Sequence, residues 1–324
     1  MRGNILTVLA GAVAAFFYVA IFLPLGFGHI LWPFAAVPLY IVALNRDAAD
    51  NLLALAGAGA FISLMSVSGV LMPGGGVKTL ASFLLVLAMP AILGGLFYRT
   101  LTRNGHKPRG EPVIAFYVFM ALGVFFITAA AFSVAGNPMH QVFYQTALPL
   151  AEALTEHLQS MNRPLTGLTP EAIARDIARQ MAAFVPVMFI IMHGVCLLAA
   201  RWLLESRQKA PPPAPRLSPL NFPMKISFLF FATLAVYTFM VQTEPENTLI
   251  FYIGPLLAGL ALPLAAQGAA TVYENIIKRL AKGVRYGIYI VLMFTILLAP
   301  VFTCFIFVMV GMGNQLFASN KTEI

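Results

Sequence analysis

The chain is poor in charge. Asp, Glu, Lys and Arg make up only 10% of its 324 residues, whereas hydrophobic residues make up 60%. A water-soluble domain carries about 25% charged residues, so this composition would aggregate in water and excludes an ordinary soluble domain. Cysteine is equally scarce: Cys196 and Cys304 both fall inside apolar runs, which speaks against a disulfide framework and a CxxC metal site. Histidine occurs five times, at 29, 106, 140, 157 and 193, and no two lie at i, i+3 or i, i+4. Neither HExxH nor GxSxG occurs, so no zinc-protease or serine-hydrolase motif is legible. Glu152, Glu156 and His157 lie close together, yet a solvated helix face has that composition routinely, and no metal or cofactor is implied. "PGGGVKT" (73–79) lacks the glycine directly before lysine that a phosphate-binding loop requires, and it reads as a turn between helices. Carboxylates inside the apolar runs are missing too, which leaves a proton- or sodium-coupled pump little to work with.

What the chain has instead is long apolar runs without alternation. They fit lipid-embedded helices, in which the backbone satisfies itself, rather than barrel strands. Nine spans are predicted (eight to ten bracket the count): 4–24, 27–44, 50–71, 77–98, 112–135, 181–204, 226–243, 249–273 and 286–311. The second is interrupted by Pro33 and Pro38. "MRGNILTVLAGAVAAFFYVAIFLPLG" resembles a signal peptide at first, but hydrophobicity runs past any cleavage site, so it reads as a retained first helix. The expected fold class is therefore all-α, a polytopic helical bundle whose principal partner is the lipid bilayer.

The net charge of +8 is accounted for by orientation rather than by a nucleic-acid partner. With the N-terminus in the cytoplasm, fifteen of the twenty Lys and Arg residues fall on the inner side, including every long basic loop. The C-terminus is then external, and the location is a bacterial inner membrane. Basic loops 99–109 and 275–285 are candidate docking sites for a cytoplasmic or membrane partner. "ESRQKAPPPAPRLSPLNF" (205–222) is a Pro-rich connector, stiff and extended, serving as a spacer or a docking motif. It divides the chain into a six-span part, 1–204, a linker, 205–225, and a three-span part, 226–324.

The external segment 136–180 is too long for a simple loop. "VFYQTALPLAEALTEHLQSM" places Phe143, Leu150, Leu154, Leu158 and Met161 along one side of a helix. Thr169 is suited to cap a second helix, with Pro170 at its first position and a Glu171–Arg175 pair on its surface. Two amphipathic helices are expected, either packing at the interface or forming a lid over a central cavity.

Within the spans, polar residues are few. His193, in "FIIMHGVCLL", is the one titratable group near the centre of a span. Gln267 lies two turns before Glu274, beside Gly268, and either glues two helices together or holds a ligand. His193 and Gln267, with Tyr237 and Tyr252 from the seventh and eighth spans, form the candidate ligand-binding set. Asn51, Gly57, Gly59, Gly94, Gly95 and Gly268 are candidates for polar glue or close helix packing. No catalytic residue is identified.

In their order along the chain, four stretches resemble the YybS-like family of uncharacterised bacterial membrane proteins. They are "FLPLGFGHILWPFAAVPLYIVALNRDAADNLLALAGAGAF", "LLVLAMPAILGGLFYRTL", "RPLTGLTPEAIARDIARQMAAFVPVMFIIMHGVCLLAARWLL" and "PLAAQGAATVYENIIKR". The chain departs from the family at His193 to Cys196, where an Asn is common, and at Tyr273 and Glu274, where a His is common. The resemblance implies distant kinship with the substrate-capturing membrane subunits of energy-coupling-factor transporters, which bind a small molecule near the outer face and lack their own ATPase. Capture of a small or lipidic molecule is the expected function. A non-catalytic scaffold or assembly factor for envelope complexes is the alternative, and an integral membrane enzyme ranks third.

Overall fold

Proline and glycine punctuate a chain that is otherwise helical. The computed structural model describes residues 2–20, 31–68, 71, 75–103, 107–161, 169–206, 212–216, 219–298 and 300–319. The "GFGH" stretch, His29, His106 and the start of "PGGGVKT" lie outside them. Eleven helices are described: α1 (Arg2–Val19), α2 (Val37–Asn45), α3 (Ala48–Val67), α4 (Gly75–Thr102), α5 (Gly110–Val134), α6 (Met139–Ser160), α7 (Pro170–Glu205), α8 (Met224–Thr243), α9 (Leu249–Asn275), α10 (Lys282–Leu298) and α11 (Pro300–Ser319). Among the described residues there is no strand, only an isolated bridge between Arg109 and Arg216.

Among the described residues, six helices are long and apolar enough to cross a membrane: α3, α4, α5, α7, α8 and α9 with the short turn that follows it. Two shorter apolar stretches, Asn4–Val19 and Trp32–Asn45, fall within the first two expected spans, and a third, Phe302–Gln315, overlaps only the end of the last.

The last expected span, 286–311, is not one helix but two. Pro300 has no N–H and its ring crowds the preceding turn, so it begins a helix rather than continuing one. Thr303 Oγ1 lies 3.3 Å from the carbonyl of Thr295, two groups that a continuous helix would hold roughly 12 Å apart along its axis. The register of α11 decides what α10 is. A Cβ on Gly268 would meet the backbone of Phe307, and one on Gly311 the backbone of Leu264, so α9 and α11 run antiparallel with Pro300 level with Asn275. Helix α10 packs against α11, and α11 takes its place as the partner of α9.

The chain folds as two compact units, Met1–Met120 with Phe189–Arg216, and Ala121–Met188 with Leu217–Ile324. One boundary falls in the Pro-rich connector; the others fall within α5 and α7. The first unit is built on a close crossing of α1 and α3, where a Cβ on Gly11 would strike the Ala54 carbonyl and one on Gly57 the Val8 carbonyl. Without a hydrophobic force between helices in lipid, such backbone approach supplies the contact energy. Leu39, Tyr40, Ile62, Phe83, Leu87 and Tyr98 fill the core around it.

The second unit holds the α9–α11 crossing, whose core is Phe230, Leu260, Leu264, Val308 and Met312. Its other half begins at Gly136, whose φ of +77° closes α5. The Asn137 N–H bonds the Phe132 carbonyl and the Gly136 N–H that of Ser133, the Schellman arrangement that only a left-handed residue permits. Helix α6 then pairs with the start of α7 through Ala147, Ala151, Ala174 and Ala178. The expected leucine side is not the buried one: Leu150 and Leu154 are 56% and 44% exposed. Alanine wins because its small side chain lets the helices approach. The second expected amphipathic helix is also continuous with the sixth span, together forming the 36-residue α7. Thr169 caps it, its Oγ1 accepting from the Ala172 N–H at 3.3 Å.

Candidate functional site

His193 is fully buried on α7, in the first unit. Helix α4 explains its role. Pro90 cannot donate to the carbonyl of Val86 four residues earlier, and the segment Phe83–Ala88 widens into a π-helix there. His193 Nε2 donates to that carbonyl at 3.0 Å, because a carbonyl can only accept. A neutral ring then has Nδ1 as its acceptor, filled by the Tyr40 hydroxyl of α2 at 3.0 Å. Tyr40 in turn receives the Tyr117 hydroxyl of α5 at 2.8 Å. The chain Tyr117 to Tyr40 to His193 to Val86 is thus directional and ends on the backbone. Phe189 packs on the imidazole at 4.4 Å and Tyr117 stacks near it at 6.3 Å. Gly94 makes room for the terminus, since a Cβ there would fall 2.5 Å from the Tyr117 hydroxyl; Gly95 does the same for Ala43. Gly59 borders nothing within 4 Å of its Cβ position, so the close-packing demand on α3 falls on Gly57.

Gln267, also fully buried, lies in the second unit. Its Oε1 accepts from the Phe222 N–H and from Gln315 Nε2, each at 3.1 Å. Gln315 Nε2 also donates to the Phe222 carbonyl at 3.1 Å, and Gln315 Oε1 accepts from Ser227 Oγ at 2.5 Å. The two amides, on α9 and α11, therefore hold both backbone groups of the residue that ends the Pro-rich connector. Gln267 Nε2 has no partner among the described residues. The same connector is fixed in the first unit, where Pro212 and Pro213 carbonyls accept from Arg201 Nε and the Tyr98 hydroxyl, and the Arg216 N–H bonds the Pro108 carbonyl. Asn51 donates to the Asp47 carbonyl at 3.0 Å, closing the first turn of α3.

Both buried sites are engaged by hydrogen bonds to neighbouring helices and backbone. A cleft of about 310 Å³ lies in the second unit. His140, Gln141 and Tyr144 of α6, Arg175, Ala178 and Arg179 of α7, Glu246 to Thr248 of the α8–α9 turn, and Phe251 of α9 line it. Arg175 pairs with Glu246 at 2.9 Å rather than with Glu171, which bonds its own N–H and the Thr169 hydroxyl at the helix start. Arg179 pairs with Asp176 at 3.2 Å and donates to the Pro245 carbonyl. Tyr144, Phe251 and the His140 imidazole are the aromatic part of the lining; Phe143 and Tyr252 pack against Phe251, with His140 Nδ1 3.5 Å from the Tyr252 hydroxyl. Of the expected ligand residues, Tyr252 thus stands behind the cleft. Tyr237 lies on α8 against Gly254, and His193 and Gln267 are elsewhere.

Sequence reasoning passed over Arg175 and Arg179 as surface charges. Their i, i+4 spacing was the available signal. Among the described residues, no three His, Cys, Asp or Glu side chains are grouped to hold a metal ion. In the basic loops, Arg99 bonds the Arg46 carbonyl and Asp47, Lys278 pairs with Glu274, and Arg285 folds onto the Leu280 and Lys278 carbonyls.

No family model matches the chain, and no curated protein or solved structure is detectably similar to it.

Proposed function

We propose that this chain is a multi-pass protein of a bacterial inner membrane that captures a small or lipidic molecule in the cleft beneath α6 and the start of α7. The observation that carries the reading is the cleft itself: Tyr144 and Phe251 share its lining with two arginines. The resemblance of four stretches to the YybS-like family, read from the sequence alone, agrees with it. In this reading the three shorter apolar helices, α1, α2 and α11, complete nine crossings. The N-terminus is cytoplasmic, and α6 with the cleft faces outward. Helix α10 lies at the inner surface, where Lys278, Arg279, Lys282 and Arg285 match the positive-inside rule. Translocation would be driven by a partner docked on loops 99–109 and 275–285.

Native mass spectrometry of the gently purified protein tests this. A co-purifying small molecule that is lost when Phe251→Ala and Tyr144→Ala alter the cleft is the expected result. A protein free of adducts would remove the reading.

The scaffold alternative draws on a different observation. His193 and Gln267 sit in solid packing and join helices rather than line a space. A stable protein partner retained after both cleft substitutions, without any small ligand, would favour it.

A further inference from the structure

We infer that the ligand of the cleft carries an anionic group, a carboxylate or phosphate, held by Arg175 and Arg179, next to a ring or chain that packs on Tyr144 and Phe251. The inference rests on the cleft's being a binding site and adds the chemical class of what it binds.

The charge inventory of the lining comes first. Two arginines and one acid, Glu246, face the cleft. Each guanidinium has five N–H donors in a planar fork. Arg175 uses one donor on Glu246. Arg179 uses one on Asp176 and one on the Pro245 carbonyl. Most of their donors therefore have no protein acceptor among the described residues. The two residues are one helical turn apart on α7, so their forks project from the same face. That spacing suits a bidentate oxyanion, for which Arg is the preferred partner.

Burial separates the arginines from ordinary surface charges. The Arg179 side chain is only 12% exposed, so its charge is drawn out of water and held by the turn at Pro245. The counter-ions of the two arginines, Glu246 for Arg175 and Asp176 for Arg179, are held loosely. The Glu246 and Asp176 side chains are 81% and 64% exposed, and exposed ion pairs contribute little. Glu246 thus occupies, from within the chain, the position that a ligand anion would take. It can swing into solvent when one arrives.

The aromatic part of the lining defines the rest of the ligand. Phe251 is buried, with Phe143 edge-on at 5.5 Å and His140 at 6.3 Å. The Tyr144 ring adds polar and apolar edges. An anion with an apolar body meets both groups of lining residues; a metal ion meets neither.

Purified full-length protein in phosphatidylcholine nanodiscs is titrated with benzoate, phenyl phosphate, benzyl alcohol and benzylammonium, with binding read by saturation-transfer NMR. Dihexanoyl phosphatidic acid, competed against phenyl phosphate, is the lipid arm. The two anions are expected to bind about tenfold more tightly than benzyl alcohol, with benzylammonium weakest. Arg179→Gln should remove that preference, and Arg179→Lys should keep part of it. Glu246→Gln, which takes away the internal competitor, should tighten anion binding several-fold, a gain that no loss of structure can imitate. Phosphatidic acid displacing phenyl phosphate assigns the anion to a lipid headgroup; the reverse assigns it to a free solute, and either supports the inference. Equal binding of benzoate and benzyl alcohol in the cleft would overturn the anionic class while leaving the capture reading intact. Binding of no probe, with Glu246→Gln silent, would overturn both.

Discussion

His193 and Gln267 meet the same difficulty in two different units of one chain, and they resolve it differently. Each is a fully buried polar side chain on a helix long enough to cross a bilayer. His193 closes a chain: every polar atom from Tyr40 to Val86 has a partner, and the imidazole supplies the donor that Pro90 lacks. Gln267 instead joins elements far apart in sequence, fixing the end of the connector to α9 and α11, and it leaves its amide NH2 without a partner among the described residues. The difference separates repair from assembly. One amino acid compensates for a defect in a neighbouring helix, the other fastens a loop to a helix pair. Both side chains serve to join parts of the bundle, whereas the arginines of the cleft keep donors unspent, and the functional reading rests there.

Substitutions can break this comparison, and the largest effect is expected at the crossing beside Gln267. Gly268→Val would drive its side chain into the Phe307 carbonyl, and a loss of about 3 kcal/mol or more is expected, since neither backbone can yield locally. Denaturation in mixed micelles followed by fluorescence would measure it. Gly59→Val, facing open space, serves as the control and should change stability by less than about 0.5 kcal/mol.

Next in size is His193→Leu, which strands the Val86 carbonyl and the Tyr40 hydroxyl and should cost about 2–3 kcal/mol. Repair has a distinct signature. Pro90→Ala restores the missing helix donor, so the double variant Pro90→Ala, His193→Leu should be more stable than additivity requires, by about 1 kcal/mol. Strict additivity would sink the proposed substitution of an imidazole for a backbone N–H.

A smaller loss, about 1–2 kcal/mol, is expected for Gln267→Leu. It forfeits the Phe222 and Gln315 bonds but also removes the unpartnered amide NH2, which offsets part of the loss. Limited proteolysis of the 205–222 connector should accelerate in this variant and not in His193→Leu. Equal protection in both would show that Gln267 does not hold the connector. The smallest effect, below about 1 kcal/mol, is expected for Asn51→Ala, whose one side-chain bond stays within its own first turn.

Much of the bundle was legible because the bilayer imposes few choices. An apolar run of about twenty residues must be helical, and the six long spans were readable from hydropathy. The cap at Thr169 and the close approach at Gly57 and Gly268 follow local rules of the same kind. The exchange of α10 for α11 was not readable, because Pro300 announces a break without saying in which direction the chain resumes. The buried face of α6 was missed for a related reason. Periodicity marks both its leucine stripe and its alanine stripe, and only the partner helix selects between them. The pairing of Arg175 with Glu246, 71 residues away, had a nearer rival in Glu171 that sequence spacing favours.

By itself the amino-acid sequence determined the helical state of its apolar runs and that several are long enough to cross a membrane. Those are sums over many residues, each contributing independently of any partner. The tertiary structure alone decided which polar groups cancel and which remain free. Hydrogen bonds depend on distances of a few tenths of an ångström between residues far apart in the chain, and no local pattern encodes them.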